Sequence, residues 1–246
     1  MKAMIFAAGL GTRLKPITDS IPKALVQVGG ITLLEHVIAK LVMHGFDDII
    51  INVHHHAQKI TEFLRSKNNF NIHIEISDES DMLLDTGGGL KKASWFFNDG
   101  RPFLVHNVDI ISDIDFENFY CSHVQSNALA TIAVRNRPPQ RYFLFDSGMN
   151  ICGWENLNTN EKIISRSSTS PMLSLAFSGI HVISPQIFEL LQETGKFSIV
   201  DVYLRLSTYH DIKGYLHDTG YWIDAGKPQS IHEAENILKR NNSINE

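Results

Sequence analysis

Two glycines and two cations crowd one stretch near the N-terminus, MIFAAGLGTRLKPITDSIPKALV, which holds Gly9, Gly11, Arg13 and Lys23. They follow AMIFAA, a continuous apolar run of the kind that marks a strand covered on both faces. Glycines tolerate positive φ, so the chain can turn sharply there and leave successive N–H groups facing one concavity, an anion nest. Arg13 adds a planar fork of donors suited to phosphate oxygens, and Lys23 adds a compact charge just beyond the stiff Pro22. The chemistry expected of this loop is the grip of a polyanion. A dinucleotide fingerprint would need a third glycine where Leu14 stands, and no G-K-[ST] follows to make a Walker loop. A further candidate is Asp109, which ends FLVHNVD at the position where a carboxylate reaches the crevice beyond a strand's carboxyl end.

The elements that must position these residues alternate between two periods. Leu34, Val37, Ile38, Leu41 and Val42 recur at helical spacing behind Thr32, an N-cap, and His44-Gly45 closes that helix. DDIIINV reads as a second buried strand, AQKITEFLRS as a helix with Ile60, Phe63 and Leu64 inward, and NIHIEIS as an alternating strand. GGGLKKASWFF opens a helix, and PFLVHNVDII is a strand that ends in polar residues. This βαβ series calls for a mainly parallel sheet with ligands at the carboxyl ends of its strands.

The second half is less regular. ALATIAV and MLSLAFSGIHVI read as strands, and RYFLFD with MNICGWENL as a hairpin around Ser147-Gly148. SPQIFELLQET and VDVYLRLSTY read as helices, and PQSIHEAENILKR as a closing helix with Ile231, Ala234 and Leu238 on one face. Asn158 to Pro171 is a polar loop, expected to be a mobile segment over the site, and the final NNSINE is expected to fray.

Composition bounds the function. A chain of 246 residues, 43% hydrophobic and 20% charged, can bury a sizeable core, and one compact domain is expected. Lys+Arg 22 against Asp+Glu 27, a net charge of -5, provides no general field for nucleic acid or acidic membranes, so neither is expected as a partner. Cys121 and Cys152 are too few for a disulfide scaffold or a cysteine zinc site, and free thiols in a reducing compartment are expected. The apolar run after Lys2 is short for a secretion signal and leads into Arg13 and Lys15, so it reads as the first strand of a cytoplasmic protein. No segment approaches the roughly 18 apolar residues of a transmembrane helix.

The string AAGLGTRLKPITDSIPKALV resembles the signature loop of the sugar-1-phosphate nucleotidyltransferases, A-G-G-x-G-T-R-L-x-P-L-T-x-x-x-P-K-x-[LM]. INVHHHAQKI, LLDTGGGL, FLVHNVDII, FSGIHVIS and YWIDAGKPQSIHEAE continue the likeness in family order along nearly the whole chain. DTGGGL, HNVDIISDIDF and SGIHVISPQIF are most similar to the N-acetylmuramate 1-phosphate uridylyltransferase branch, with the mannose- and heptose-1-phosphate guanylyltransferases as rivals. The resemblance implies a single Rossmann-like α/β nucleotide-binding domain, residues 1–246, with a mixed, mostly parallel central sheet flanked by helices. Its nucleotide part would cover about 1–110 and its sugar part about 111–246. It implies transfer of a nucleotidyl group, UTP favoured, to a sugar 1-phosphate with loss of pyrophosphate and no covalent enzyme intermediate.

By the same resemblance Arg13 and Lys23 serve the triphosphate and α-phosphate, and Asp109 and Asp224 are paired ligands of Mg2+, a metal that takes one or two protein carboxylates beside phosphate and water. Val108 and Ala225 depart from the family's N-[GA]-D and W-x-D-[IV]-G. The implied nucleotide-binding set is Ala8, Gly9, Gly11, Thr12, Arg13, Lys23, Gly87, Gly88 and Asn107, with the base read by backbone groups beside the small residues. Asp85 stands where many relatives have glycine; it could accept from guanine or merely cap its helix with Thr86. Lys162, in NEKII without the family's E-K-P proline, and Gly179 are the sugar-side candidates.

Other features take plainer readings. His54, His55 and His56 point in different directions and read as a strand-to-helix junction, Trp95 to Phe97 as packing, and Asp113 with Asp115 as the cap of the next helix. A noncatalytic nucleotide-sugar sensor on the same fold would discard the charged set that this chain retains. Homo-oligomer formation stays open.

Overall fold

The computed structural model describes residues 1–138 and 140–242. The fold class is α/β, a mixed, mostly parallel central sheet flanked by helices. The chain divides into two compact units, and the division is not sequential: Met1–Leu83, His106–Ile114 and Gly220–Glu246 make the first, Leu84–Val105 and Asp115–Thr219 the second.

In the first unit the strands Lys2–Phe6, Asp48–Val53 and His73–Asp78 run parallel, with Lys2 opposite Asp48 and Asp48 opposite His73. Their central residues Ala3, Met4, Ile5, Ile49, Ile50 and Ile51 are fully buried, as continuous apolar runs require. The helix Leu33–Met43 starts where Thr32 accepts the Glu35 N–H through its hydroxyl at 3.2 Å, and buries Leu33, Leu34, Val37, Ile38 and Leu41. Ala57–Ser66 is the second helix, buried at Ile60 and Leu64. The apolar segment PFLVHNVDII is not one strand. Phe103–Asn107 ends, the chain turns at Val108 and Asp109, and Ile110–Ser112 pairs antiparallel with Trp222–Asp224. The closing helix Pro228–Asn242 buries Ala234 and half-buries Ile231 and Leu238. Of NNSINE, expected to fray, Asn241 and Asn242 continue this helix, and residues 243–246 lie outside the described residues.

In the second unit Ala130–Arg135 lies between Leu173–Ile183, antiparallel to it, and Ile212–Leu216, parallel to it. Arg141–Phe145 and Ile151–Asn156 form the expected antiparallel hairpin. Helices Asp85–Lys92, Phe116–Ser126 and Ile199–Leu206 cover the unit, and Phe97, Phe103 and Phe188 stack with centroids 3.7 to 6.0 Å apart.

Three expectations are corrected here. The polar stretch Asn158 to Pro171 contains a strand, Glu161–Ile164, paired with Ile151–Asn156; Gly153 permits it, because a Cβ there would collide with the Ile163 carbonyl. SPQIFELLQET yields only the turn Ile187–Leu190, since Arg205 and Lys91 donate to the Leu190 and Leu191 carbonyls at 3.0 and 3.1 Å, acceptors a longer helix would use. Trp95 is 55% exposed and not packed like its buried neighbours Phe96 and Phe97. Among the described residues no helix is long and apolar enough to cross a membrane. Both cysteines are free thiols.

Candidate active site

Gly11 is the turning point of the loop after the first strand. Its φ is +66°, and a Cβ would sit 2.8 Å from Thr18 Cγ2 and 3.1 Å from Lys23 Cβ, so both backbone and space demand glycine. The Thr18 hydroxyl and the Leu14 N–H both donate to the Gly11 carbonyl at 2.8 Å, which pins the turn. Gly9 departs from the expected pattern: it is not at positive φ, and a Cβ would meet nothing within 4 Å. The protein's own packing does not require glycine there. Ala8 is buried, and Thr12 is exposed at the start of the short helical turn Thr12–Leu14.

Lys23 opens a second turn, Lys23–Leu25, behind Pro22. Its side chain is 13% exposed and its ammonium donates to Asp109 Oδ2. Arg13 Nη1 donates to Asp224 Oδ2 at 3.1 Å, and Arg13 Nη2 lies 3.6 Å from Asp109 Oδ2. Two cations from one loop therefore meet two carboxylates that stand far along the chain, all within the first unit.

Strand pairing brings the carboxylates together. Asp224 lies opposite Ile110, and the Ala225 N–H donates to the Asp109 carbonyl at 2.8 Å. Asp113 braces the far end: it accepts the Tyr221 N–H at 3.0 Å, and Gly220, at φ +73°, leaves the space its carboxylate fills. Gly226 completes the site. Its N–H donates to Asp224 Oδ1 at 2.9 Å, and a Cβ on it would stand 2.5 Å from Arg13 Nη2, 2.7 Å from Asp224 Oδ1 and 2.8 Å from Asp109 Oδ2. The motif YWIDAGKP held this glycine in plain view, but only the packing reveals its use.

Burial pushes the Asp109 carboxyl above the ordinary carboxylate range, against the pull of the Lys23 charge, and the neighbouring Asp224 adds to the rise. Asp224 goes the other way. Its partial burial works upward, but the Gly226 N–H and the Arg13 charge outweigh it and hold this carboxyl low. Convergence of two hard carboxylate donors on the one small space beside Gly226 suits the donor set of magnesium, with phosphate and water to complete its shell. Among the described residues no cluster of three or more His, Cys, Asp or Glu side chains is arranged for a metal ion.

The remaining candidates fall into separate settings. Asn107 is half-buried at the end of its strand, and Val108 is buried, its N–H donating to the Phe6 carbonyl at 3.1 Å. His54 bonds the Glu79 carbonyl through Nδ1 at 2.7 Å and His56 stands before the helix Ala57–Ser66, the expected junction. In the second unit, the Gly87 and Gly88 N–H groups both donate to the Phe197 carbonyl, at 2.9 and 3.3 Å, and Cβ atoms on them would strike Phe197 and the Gly195 carbonyl. Their smallness serves packing and their N–H groups are engaged within the unit. Asp85 is exposed at φ +61°, a region that favours glycine, and accepts the Thr86 N–H at 2.6 Å. Asp115 caps the helix Phe116–Ser126 by accepting the Asn118 N–H at 3.0 Å. Lys162 lies on the outer strand 3.6 Å from Glu155 Oε2, and Gly179, at φ +75°, sits in the bulge between Phe177 and His181.

The family profile described as Nucleotidyl transferase matches residues 2–241. The chain is 29% identical over 241 residues to the N-acetylmuramate alpha-1-phosphate uridylyltransferase of Neisseria meningitidis, covering 96% of this chain and 97% of that one. It is 27% identical over 234 residues to the mannose-1-phosphate guanyltransferase of Yarrowia lipolytica, covering 94% of this chain and 62% of that one. The fold matches that of HddC from Yersinia pseudotuberculosis complexed with GMP-PN, with a TM-score of 0.75 and 22% identity over 96% of this chain and 99% of that one. With a profile match spanning almost every residue and the charged set of the signature assembled in space, the chain belongs to the nucleotidyl transferase family of enzymes.

Proposed function

We propose that this protein transfers a uridylyl group from UTP to a sugar 1-phosphate, N-acetylmuramate 1-phosphate or another N-acetylhexosamine 1-phosphate, and releases pyrophosphate. The observation that carries the reading is the cluster of Arg13, Lys23, Asp109 and Asp224 at the mouth of the glycine turn. A phosphate oxygen of the sugar attacks the α-phosphorus in line and pyrophosphate leaves from the opposite side. Two polyanions have to be brought together, so the protein's task is positioning and neutralisation.

Arg13, half-exposed and oriented by Asp224, offers its guanidinium fork to the triphosphate. Lys23, held almost out of solvent by Asp109, offers a fixed charge to the α-phosphate. Asp109 and Asp224 would hold magnesium, which when bound supplies further positive charge to the phosphate oxygens. Ala8, Gly9, Gly11, Thr12 and Asn107 form the nucleotide wall, where Gly9 leaves open room beside the loop. Gly87 and Gly88, whose space is taken by Phe197 and Gly195 and whose N–H groups bond the Phe197 carbonyl, are left out of this nucleotide set. On the sugar side, Gly179 offers backbone and Lys162 a charge now shared with Glu155. The chain acts, in this reading, as one cytoplasmic nucleotidyltransferase domain.

A second reading, a mannose- or heptose-1-phosphate guanylyltransferase using GTP, draws on Asp85, an exposed acid able to accept from guanine N–H groups. The uridylyl reading is preferred because the Neisseria relative matches at full length on both sides. The test is pyrophosphate release with magnesium from each of UTP, GTP, dTTP, CTP and ATP against a panel of sugar 1-phosphates. UTP with N-acetylmuramate 1-phosphate is expected to lead, since a polar sugar site rejects partners that leave its buried groups unpaired. GTP with mannose 1-phosphate in the lead would move the assignment, with Asp85→Gly as the next variant to measure. Nucleotide binding without pyrophosphate from any pair would make the protein a sensor.

A further inference from the structure

Beneath the glycine turn lies a buried polar chain that the charged cluster does not use. Asn52 is 3% exposed and Glu79 is fully buried. Asn52 Nδ2 donates to Glu79 Oε1 at 2.7 Å, and Asn52 Oδ1 accepts the Ala7 N–H at 2.8 Å. Phe6 is the last residue of the first strand and lies opposite Asn52, so the side chain of Asn52 carries the strand's hydrogen bonding one residue further, onto the first residue of the loop. Glu79 is itself firmly placed. Its N–H donates to the Val53 carbonyl at 2.7 Å, and its carbonyl bonds the Met82 N–H at 3.0 Å and His54 Nδ1 at 2.7 Å.

The amide of Asn52 has one donor end and one acceptor end, and the neighbours decide which way it points. Glu79 accepts from Asn52 Nδ2 through Oε1, so it holds the NH2 end toward itself and leaves the amide oxygen for the Ala7 N–H. Flipped, the amide would set donor against donor at Ala7 and oxygen against oxygen at Glu79. We propose that Asn52 and Glu79 are positioning residues for the nucleotide loop: Glu79 orients the Asn52 amide, and Asn52 captures the Ala7 N–H so that Ala8 and Gly9 leave the strand already disposed to receive a nucleoside triphosphate. The proposal rests on the reading of Ala8 to Thr12 as the nucleotide loop. It also implies that the Ala7 N–H, being engaged, takes no part in reading the base.

Three proteins compared side by side test this: wild type, Glu79→Gln, which keeps an acceptor for Asn52 Nδ2, and Glu79→Met, which keeps bulk without one. Calorimetric titration with Mg-UTP and Mg-GTP is read beside KM for each substrate, kcat and the melting temperature. Glu79→Met is expected to weaken nucleotide binding about tenfold while KM for the sugar 1-phosphate stays put, and Glu79→Gln to stay within about twofold of wild type. Unchanged nucleotide affinity in folded Glu79→Met overturns the proposal, as does a loss that tracks melting temperature equally in both variants. If Glu79→Met does not fold, Asn52→Leu, close in size and without the acceptor, is put to the same measurements. Failure of both to fold makes the pair a folding determinant and overturns the proposal. Wild-type protein that binds neither nucleotide refutes the nucleotide-loop reading itself, whereas binding by wild type with indifferent variants sinks only the positioning role.

Discussion

Asp109 and Asp224 share one pair of cations but not one environment. Asp109 sits deeper, its charge opposed by burial and supported by Lys23, while Asp224 is partly open and held ionised by Gly226 and Arg13. Asp109→Asn and Asp224→Asn are each expected to lower turnover by about two orders of magnitude or more, since each would remove a negative ligand from the proposed magnesium and phosphate site. Asp109→Asn also leaves the nearly buried Lys23 ammonium without its carboxylate, so some loss of stability is expected beside the loss of turnover. Turnover close to wild type in either would remove that residue from the site. Gly226→Ala probes the same space without touching a charge. Its methyl group would have to displace Arg13 or a carboxylate, each within 2.8 Å of the added atom, so initial rates should fall at least about tenfold while the fold persists. An alanine variant of normal activity would show that the carboxylates need not converge there.

At the scale of elements, the site depends on a pair of three-residue strands. Ile110–Ser112 and Trp222–Asp224 set the distance between the two carboxylates, and Asp113 ties their far end by accepting the Tyr221 N–H. Asp113→Ala leaves that N–H without its carboxylate and is expected to cost about 1–2 kcal/mol of stability, with a fall in turnover although the residue lies outside the charged cluster. Urea unfolding and rates on the same preparation would check both. A stable variant with lowered activity would support bracing of the strand pair more directly than a loss of both. The sequence made most of the large elements visible, because Thr32 caps a clean helical stripe and DDIIINV is apolar throughout. It marked a strand end at Asp109 but could not reveal that a second strand starts at Ile110: apolar residues continue there, and only pairing with Trp222–Asp224 makes Ile110–Ser112 a strand of its own.

For the molecule as a whole, two buried histidines give stability a predictable pH dependence. Burial lowers His106 to about 3, with the Lys40 charge assisting against its bond to the Asn107 carbonyl, and lowers His123 to about 4. Unfolded, each would titrate at about 6.5. Between these values the unfolded chain takes up protons that the folded chain refuses, so this stability is fully present above about pH 6.5 and lost as pH falls through 5 toward 4 and 3. The loss should be on the order of 1 kcal/mol per pH unit for each histidine. His73, raised by its bond to Asp48, acts in the opposite sense but lies exposed. Melting temperatures at pH 7 and pH 5 should diverge for wild type and less so for His123→Asn; parallel slopes would reject the account.

The sequence by itself determined the family and the α/β class, and its likeness to the family's motifs singled out the glycine turn and the four charged residues Arg13, Lys23, Asp109 and Asp224 as candidates. Gly11 needs φ +66° and no Cβ, and a loop with Arg13 and Lys23 has few uses other than an anion. Tertiary structure alone decided which partners those charges have. The Arg13 and Asp224 side chains meet across 211 positions, and no local pattern records a contact made by two strands closing on each other. The same holds for Gly226, whose missing side chain matters only because three charged groups crowd it, and for Asn52, which reads as one polar residue in a strand until the fold sets it between Glu79 and Ala7. Glycines at 87 and 88 show the converse: the sequence marks them as small, but the packing of Phe197 and Gly195 against them decides what the smallness is for.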